Sequence, residues 1–224
     1  MAQPRTAEEF TAHITSDLTW RIREISDVRS TASAALPPVS RAILRASVPL
    51  MYAHWEGHVS LVSRTYMDFL ARRRLRYSSL KECFRLNAFF ATIRRMTQTR
   101  FSHPEQIAFL TSVINSGEAQ FRHVDQDVLS SRSNLNSEVL QDLCCLLSLD
   151  IRQFENDFDF LDKILLYRRN NIAHGQFIEI DVSMLRDMSD RVIEMMRKFN
   201  NLVDNEVNLQ GYRARVIATV PRIT

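Results

Sequence analysis

Residues that interrupt helices are scarce in this sequence, which has 4 Gly and 6 Pro among 224 residues. Glycine and proline disfavour helix interiors, and a strand-rich fold needs many turns that use them. Apolar residues also recur every three or four positions, as in Phe10, Ile14 and Leu18, which is the period of one helix face. The sequence therefore predicts an all-α fold, a helical bundle with long antiparallel helices.

The apolar spacing also predicts where the helices lie. Pro49 either kinks the second helix or begins its main part, because proline lacks the amide donor. Residues 121–124 are predicted to form a short strand or a loop. The predicted helices are 7–33, 41–74, 78–97, a short one opening at Pro104, one capped by Asn136 or Ser137, one from about Phe154 to His174 that Gly175 ends, and one capped by Asp181.

The composition is that of one globular domain. Hydrophobic residues make up 45% and charged residues 25%, an ordinary balance for a chain that buries a full core. We therefore expect a single domain over residues 1–224 with its core at about 7–212. The cysteines Cys83, Cys144 and Cys145 form no C-x-x-C pair, and no apolar run approaches the ~18 residues of a membrane span. A reduced compartment and a cytoplasmic location are expected.

Positive charge is concentrated in one part of the chain. Between Arg64 and Arg100, ten basic residues accompany only two acidic ones. Such a run is either the solvated face of a helix or a surface that attracts phosphates. Under the second interpretation, the candidate RNA-binding residues are Arg72, Arg73, Arg74 and Arg76.

Common enzyme motifs are absent from the sequence. It contains no Gly-rich phosphate loop, no H-E-x-x-H and no G-x-S-x-G. His54 and His58 lie four residues apart on one predicted helix face, which could hold a metal ion. No neighbouring carboxylate or cysteine completes such a site along the sequence. We therefore expect neither a metal ion nor another cofactor.

Polar and charged residues crowd the end of an otherwise apolar helix at residues 165–175. Arg168 falls where the apolar stripe would continue, and a half-buried charge is costly unless it is paired. The group consists of Arg168, Arg169, Asn170, Asn171 and His174. Such residues either cap the helix end, where cations meet the negative pole of the helix dipole, or form a functional site.

The letters RNNIAH at residues 169–174 match the R-[polar]-x-x-x-H motif of the HEPN superfamily. Residues 52–57, YAHWEG, resemble a segment from one branch of bacterial HEPN-like nucleases associated with defence loci. The same branch is similar at Trp20, Arg21, Glu24 and Ile25, at residues 133–136, and in the final helix. The resemblance thus covers roughly residues 18–212.

This resemblance implies a HEPN-type helical bundle that is usually dimeric, with two motif copies facing each other across the interface. Many such proteins are metal-independent endoribonucleases, whereas others only bind. It implies that His174 is the general acid or base, since an imidazole titrates near neutral pH. Arg169 would neutralise the phosphate in the transition state, and Asn170 would orient the imidazole or a phosphate oxygen.

Glu56 and Arg168 complete the set of candidate residues. Glu56 lies in a helix stripe beside apolar neighbours and needs a partner, for which Arg169 or Arg168 is predicted. As a counter-ion Glu56 would fix the arginine, and as a catalytic group it would share the proton transfer. Arg168 is predicted to bind RNA.

Two functions remain open at this stage. The leading one is an endoribonuclease of a bacterial defence or toxin–antitoxin system. The alternative is a non-catalytic HEPN module that dimerises and binds RNA, a nucleotide or a partner. The partners implied are RNA, a second copy of the chain, and an antitoxin or a restriction-type defence protein.

Overall fold

The computed structural model describes residues 3–129 and 134–214, in which the regular secondary structure is helical apart from two isolated β-bridges. The predicted all-α class is confirmed, and residues 121–124 are a loop. Among the described residues, no helix is both long and apolar enough to cross a membrane. The α-helices are α1 (Ala7–Ala34), α2 (Val39–Arg72), α3 (Arg85–Gln98), α4 (His103–Ile114), α5 (Ser137–Leu147), α6 (Tyr167–Ala173) and α7 (Val182–Asn208).

Helices α1, α2 and α7 form the centre of the bundle. The ring of Phe10 near the start of α1 lies 5.5 Å from that of Phe69 near the end of α2, so these two helices are antiparallel. Trp55 of α2 packs against Phe199 of α7 and against Phe154, with ring centroids 6.2–6.4 Å apart. All three side chains are fully buried, and burial of such large apolar groups is the main stabilising term of a fold of this kind.

The helix ends follow the predicted capping chemistry in most places. Thr6 and Glu9 form a capping box at the start of α1, and the side chains of Asn136 and Asp181 accept backbone amides at the starts of α5 and α7. These bonds satisfy amide groups that have no partner inside the helix. Pro49 lies inside the continuous α2, so it does not begin that helix.

The predicted third helix starts later than the apolar pattern indicates. Two 3-10 turns, Tyr77–Ser79 and Glu82–Phe84, occupy its first part, and α3 begins only at Arg85. The Tyr77 amide donates to the Ala119 carbonyl, a partner outside any helix. A backbone that bonds across to a loop cannot also propagate an α-helix, so the helix starts after this crossing.

A buried polar network fastens α1 to α2. Asp17, only 7% exposed, accepts hydrogen bonds from the indole of Trp20 at 3.0 Å and from Nε of Arg21 at 2.7 Å. Nδ1 of the fully buried His58 lies 2.8 Å from the same carboxylate, and it is the donor because an ionised carboxylate only accepts. A Cβ at Gly57 would lie 2.7 Å from a guanidinium nitrogen of Arg21, so a larger residue there would displace the guanidinium from its place in the network.

The same network accounts for the histidine pair on α2. His58 contacts Asp17, whereas Nε2 of His54 lies 3.0 Å from the carboxylate of Glu24 without hydrogen-bond alignment. Helix α1 thus supplies one carboxylate to each histidine, although no carboxylate near the two histidines in the sequence completes such a site. No cluster of three metal-ligating side chains occurs in the described part of the chain.

Candidate active site

The backbone changes its helical form just before the polar motif. Residues Ile151–Asp157 form a 3-10 helix, Phe160–Leu166 form a π-helix, and α6 then carries the motif. The sequence predicts one regular helix here, and this prediction is wrong, although Phe154, Leu161 and Leu165 are buried as expected. Stretches of π-helix are often found at functional sites because they alter the direction of the side chains that follow.

Arg169 is held by neutral groups. One guanidinium nitrogen donates to the side-chain oxygens of Asn170 at 2.8 Å and Asn134 at 2.9 Å. The guanidinium carbon lies 4.9 Å from the ring centroid of Tyr52, a cation–π distance. Within residues 3–129 and 134–214, no carboxylate lies at ion-pair distance from Arg169, so its positive charge is oriented and remains available to an anion.

Tyr52 connects Arg169 with Glu56. Its side chain is 1% exposed, and its hydroxyl donates to Oε1 of Glu56 at 3.0 Å while accepting the Leu135 amide at 2.5 Å. Burial, followed by the charge of Glu56, raises the pKa of Tyr52 well above 10, although the Leu135 amide and Arg169 act in the opposite direction. Tyr52 therefore stays protonated and serves as a fixed donor.

The predicted ion pair of Glu56 with Arg169 or Arg168 does not form. Glu56 bonds to Tyr52 instead, and the guanidinium of Arg169 lies over the tyrosine ring. Arg168 is half-buried and contacts the sulfur of Met188 at 3.5 Å. The neutral hydroxyl of Tyr52 donates the hydrogen bond that the Glu56 carboxylate needs. The arginine partner predicted from the sequence is therefore wrong.

His174 lies at the end of α6 with its side chain exposed. Its amide bonds the Asn170 carbonyl at 3.0 Å, and Gly175 follows with φ of +78°, a left-handed conformation that favours glycine. The Asn170 side chain bonds Arg169 and is thus not engaged with the imidazole. Within the described residues, the imidazole makes no hydrogen bond.

The basic residues of α2 and the following turn lie at the other end of the bundle. Arg45 donates to the Gln176 carbonyl at 2.9 Å, which places the start of α2 beside the motif. Arg169 contacts Tyr52, and Arg72 is 20 positions further along α2, or about 30 Å of helix at 1.5 Å per residue. Arg73 lies over Phe69, and Arg76 pairs with Glu118 at 2.6 Å. Thus Arg72, Arg73, Arg74 and Arg76, although exposed, do not join the site around Arg169.

Asn134 is the residue that the sequence reasoning missed. Its side chain holds Arg169 from a segment 35 positions away, and its neighbour Leu135 donates to Tyr52. The only signal in the sequence is the resemblance at residues 133–136, of which Ser133 lies outside the described residues. An asparagine in a loop between helices otherwise has nothing to distinguish it.

Replacing Asn134 by alanine is expected to weaken the binding of a phosphate anion to Arg169 about tenfold, because a hydrogen bond to a charged group contributes about 1.5–3 kcal/mol. Arg169 would keep its bond to Asn170 and its contact with Tyr52, so the loss should be partial. NMR titration with inorganic phosphate measures the effect. Asn171→Ala is the matched control because the Asn171 side chain donates to the Tyr167 carbonyl of its own helix, and equal phosphate affinities in the two variants would contradict the positioning role.

A family model described as HEPN_MAE_28990-like HEPN matches residues 10–212. No curated protein and no solved structure matches the chain. The family match begins in α1 and ends beyond α7, so it includes both the polar motif of α6 and the α2 segment that carries Tyr52 and Glu56.

Proposed function

The chain belongs to the HEPN_MAE_28990-like HEPN family, and on that premise we propose that it is a metal-independent endoribonuclease. HEPN domains act mostly as ribonucleases, and others bind RNA. The observation that carries the proposal is the state of Arg169, whose charge is oriented by Asn134, Asn170 and Tyr52 but not neutralised. An exposed imidazole, that of His174, lies just beyond on the same helix.

In the proposed reaction, a ribose 2′-hydroxyl attacks the adjacent phosphate. His174 takes the proton of that hydroxyl or protonates the leaving 5′-oxygen, since a histidine can do either near neutral pH. Arg169 stabilises the charge that develops on the phosphate oxygens. The products are a 2′,3′-cyclic phosphate and a 5′-hydroxyl end. Glu56 acts through Tyr52 as a positioning residue.

The second candidate function is a HEPN module that binds RNA without cutting it. It is favoured by the side chain of His174, because no group in the described part of the chain hydrogen-bonds to the imidazole and orients it. Incubation of the purified protein with total RNA in EDTA, beside His174→Ala, separates the two. Cleavage by the wild type alone supports the nuclease, and intact RNA in both samples supports the binding module.

We further propose that the active unit is a homodimer. Arg169 and His174 are five positions apart on α6, so in a regular helix they point about 140° apart, and a single copy surrounds a phosphate poorly. A two-fold axis beside Gly175 would bring two arginines and two histidines to one cleft, and two-fold dimers are the commonest oligomers. An antitoxin or a restriction-type defence protein is the further partner that we propose on the family resemblance.

Most methionines of α7 are not available for such a dimer contact. Met188, Met195 and Met196 of α7 are buried in the core of the chain itself, and so is Tyr52. Tyr167, Phe177 and Met184 are 59%, 76% and 38% exposed around the motif. They are the candidate contact residues, because exposed apolar groups close to a site commonly mark an interface.

Phe177→Glu is therefore expected to convert a micromolar dimer to a monomer and to abolish RNA cleavage, because it places a charge at the interface. Light scattering and cleavage assays on the same samples measure both effects. Leu209→Glu is the control, since Leu209 is 79% exposed at the end of α7. A wild-type monomer that cleaves RNA would overturn the dimer proposal.

The arginines at the far end of α2 give a separate prediction about RNA affinity. If Arg72, Arg73, Arg74 and Arg76 bind phosphates, then replacing all four by glutamine should flatten the dependence of log Kd on log salt. Each contact with single-stranded RNA contributes a slope of about 0.7. Because these side chains are exposed, the melting temperature should change little. A slope equal to that of the wild type would identify the basic run as a solvated face.

A further inference from the structure

A cavity of about 830 Å³ opens beside the Tyr52–Glu56 pair, between α2, α3 and α5. Its walls are largely apolar and include Leu86 and Phe90 of α3, Leu129, and Val139 and Leu143 of α5. This volume lies within the range of small-molecule sites, which are typically apolar with a few placed polar groups. Phe90 offers an aromatic surface on which a planar ring can stack.

The inner polar groups of the cavity lack full hydrogen-bond partners. Glu56 lines the cavity, and its Oε1 accepts hydrogen bonds from the Tyr52 hydroxyl and the Leu135 amide. Its other oxygen, Oε2, accepts no hydrogen bond from the described residues. Ser60, one helical turn further along α2, also lines the cavity, and its hydroxyl makes no hydrogen bond to a described residue. Besides the carboxylates of Glu138 and Asp142 on α5, the lining residues thus include Glu56 and Ser60, whose Oε2 and hydroxyl make no hydrogen bond to the described residues.

Tyr52 joins this polar end of the cavity to Arg169. Its hydroxyl contacts Glu56 at 3.0 Å, and its ring face lies 4.9 Å from the guanidinium carbon of Arg169. The free acceptor in the cavity and the oriented cation are therefore separated by a single tyrosine side chain. A ligand with an anionic end and a planar, uncharged end could contact both.

The charges around the cavity disfavour a phosphate inside it. Glu138 and Asp142 lie in the wall on α5, whereas Arg64 is the only cation among the lining residues that the structure describes. Asp127 is also in the wall and is ion-paired with Arg94. The carboxylates in the wall repel an anion. We therefore expect a phosphate to bind at Arg169 and an uncharged group with N–H donors to bind in the cavity.

We propose that this cavity binds the nucleobase of the nucleotide whose phosphate Arg169 holds, and that it prefers bases with an exocyclic amino group over uracil. The amino group of adenine, cytosine or guanine donates to a carboxylate, as in the recognition of cytosine by Glu or Asp. Uracil has no amino group, and its one ring N–H donor at N3 lies between two carbonyl oxygens that a carboxylate repels. This inference rests on the proposed function, because it assigns the base of the RNA substrate.

The test uses the full chain carrying His174→Ala, titrated with AMP, CMP, GMP and UMP and followed by ligand-observed NMR. At least one amino-bearing nucleotide should bind about tenfold more tightly than UMP, the discrimination given by one well-placed polar pair. Glu56→Gln should reduce this preference, because an amide can also donate to a carbonyl. Val139→Trp should block binding by filling the cavity, whereas Gln141→Trp, exposed on the same helix and outside the cavity, should not.

Equal affinity for all four nucleotides, or binding that survives Val139→Trp in a folded protein, would overturn the inference. If Val139→Trp fails to fold by circular dichroism, the loss of preference in Glu56→Gln decides the question. Selective nucleotide binding by a wild-type protein that does not cleave RNA would support the base site and contradict the nuclease. RNA cleavage with no dependence on the base would contradict the base site alone.

Discussion

The substitution His174→Ala is expected to slow RNA cleavage by about 10²–10⁴-fold, the usual contribution of a general acid or base. The side chain of His174 is exposed at the end of α6, so its removal should leave the melting temperature unchanged. Arg169→Ala should cost a comparable factor by removing the charge that stabilises the transition state. Arg169→Lys should recover little, because an ammonium cannot reproduce the planar guanidinium that lies over Tyr52.

Initial rates on a short RNA, measured with circular dichroism melting curves, test both substitutions. Matched controls are His103→Ala, at the exposed start of α4, and Arg152→Ala, whose exposed guanidinium pairs with Asp150, two positions away. Both controls should cleave at the wild-type rate. Wild-type rates in His174→Ala and Arg169→Ala would contradict the catalytic roles of these residues.

The second large effect concerns stability, and it comes from the network between α1 and α2. Asp17→Ala would leave the buried side chain of His58 without its acceptor and would remove the carboxylate that pairs with the half-buried Arg21. Breaking one side of a buried charge pair costs about 3–5 kcal/mol. Urea denaturation should show a loss of this size, whereas Asp27→Ala, exposed on the same helix, should change the free energy of unfolding little. Similar midpoints for the two variants would contradict the role of the network.

The same network gives an acid dependence with a definite sign. Burial acts to raise the pKa of Asp17, but the hydrogen bonds from His58 and Arg21 outweigh it and lower the pKa from 3.8 to about 2. A carboxylate with a lowered pKa in the folded state stabilises the protein above its unfolded pKa. That contribution should be lost as the pH falls from about 4 through about 2. Asp17→Ala should lack this component of the acid transition.

The long helices could be predicted from the sequence because their apolar period is unbroken over many turns, as in α1 and α7. The change from 3-10 to π-helix before α6 could not, because the apolar stripe through Phe154, Leu161 and Leu165 is compatible with a regular helix. Tertiary packing decides which carbonyl each backbone amide bonds to, and the apolar pattern of the sequence does not contain this information. For the same reason, the pattern predicts a start of α3 that is earlier than the observed one.

At the candidate site, the sequence predicted the functional residues of α6 but not the residues that contact them. Glu56 was expected to need a partner, and the structure gives it Tyr52, which lies one helical turn away on α2. Asn134 holds Arg169 from a distant loop, and no local pattern encodes such a contact. The arginines of residues 72–76 were predicted to bind RNA from local charge alone, and the charge pattern does not show that about 30 Å of α2 separates Arg72 from Tyr52 beside Arg169.

The chemistry of the RNA ends is the most direct test of the proposed activity. A defined RNA is incubated with the wild-type protein in EDTA, beside the same RNA carrying a single 2′-deoxy nucleotide at the cleavage position. Attack by the 2′-hydroxyl predicts a 2′,3′-cyclic phosphate, a 5′-hydroxyl end and no cleavage of the deoxy substrate at that position. Cleavage of the deoxy substrate there, or products with 5′-phosphate ends, would contradict it.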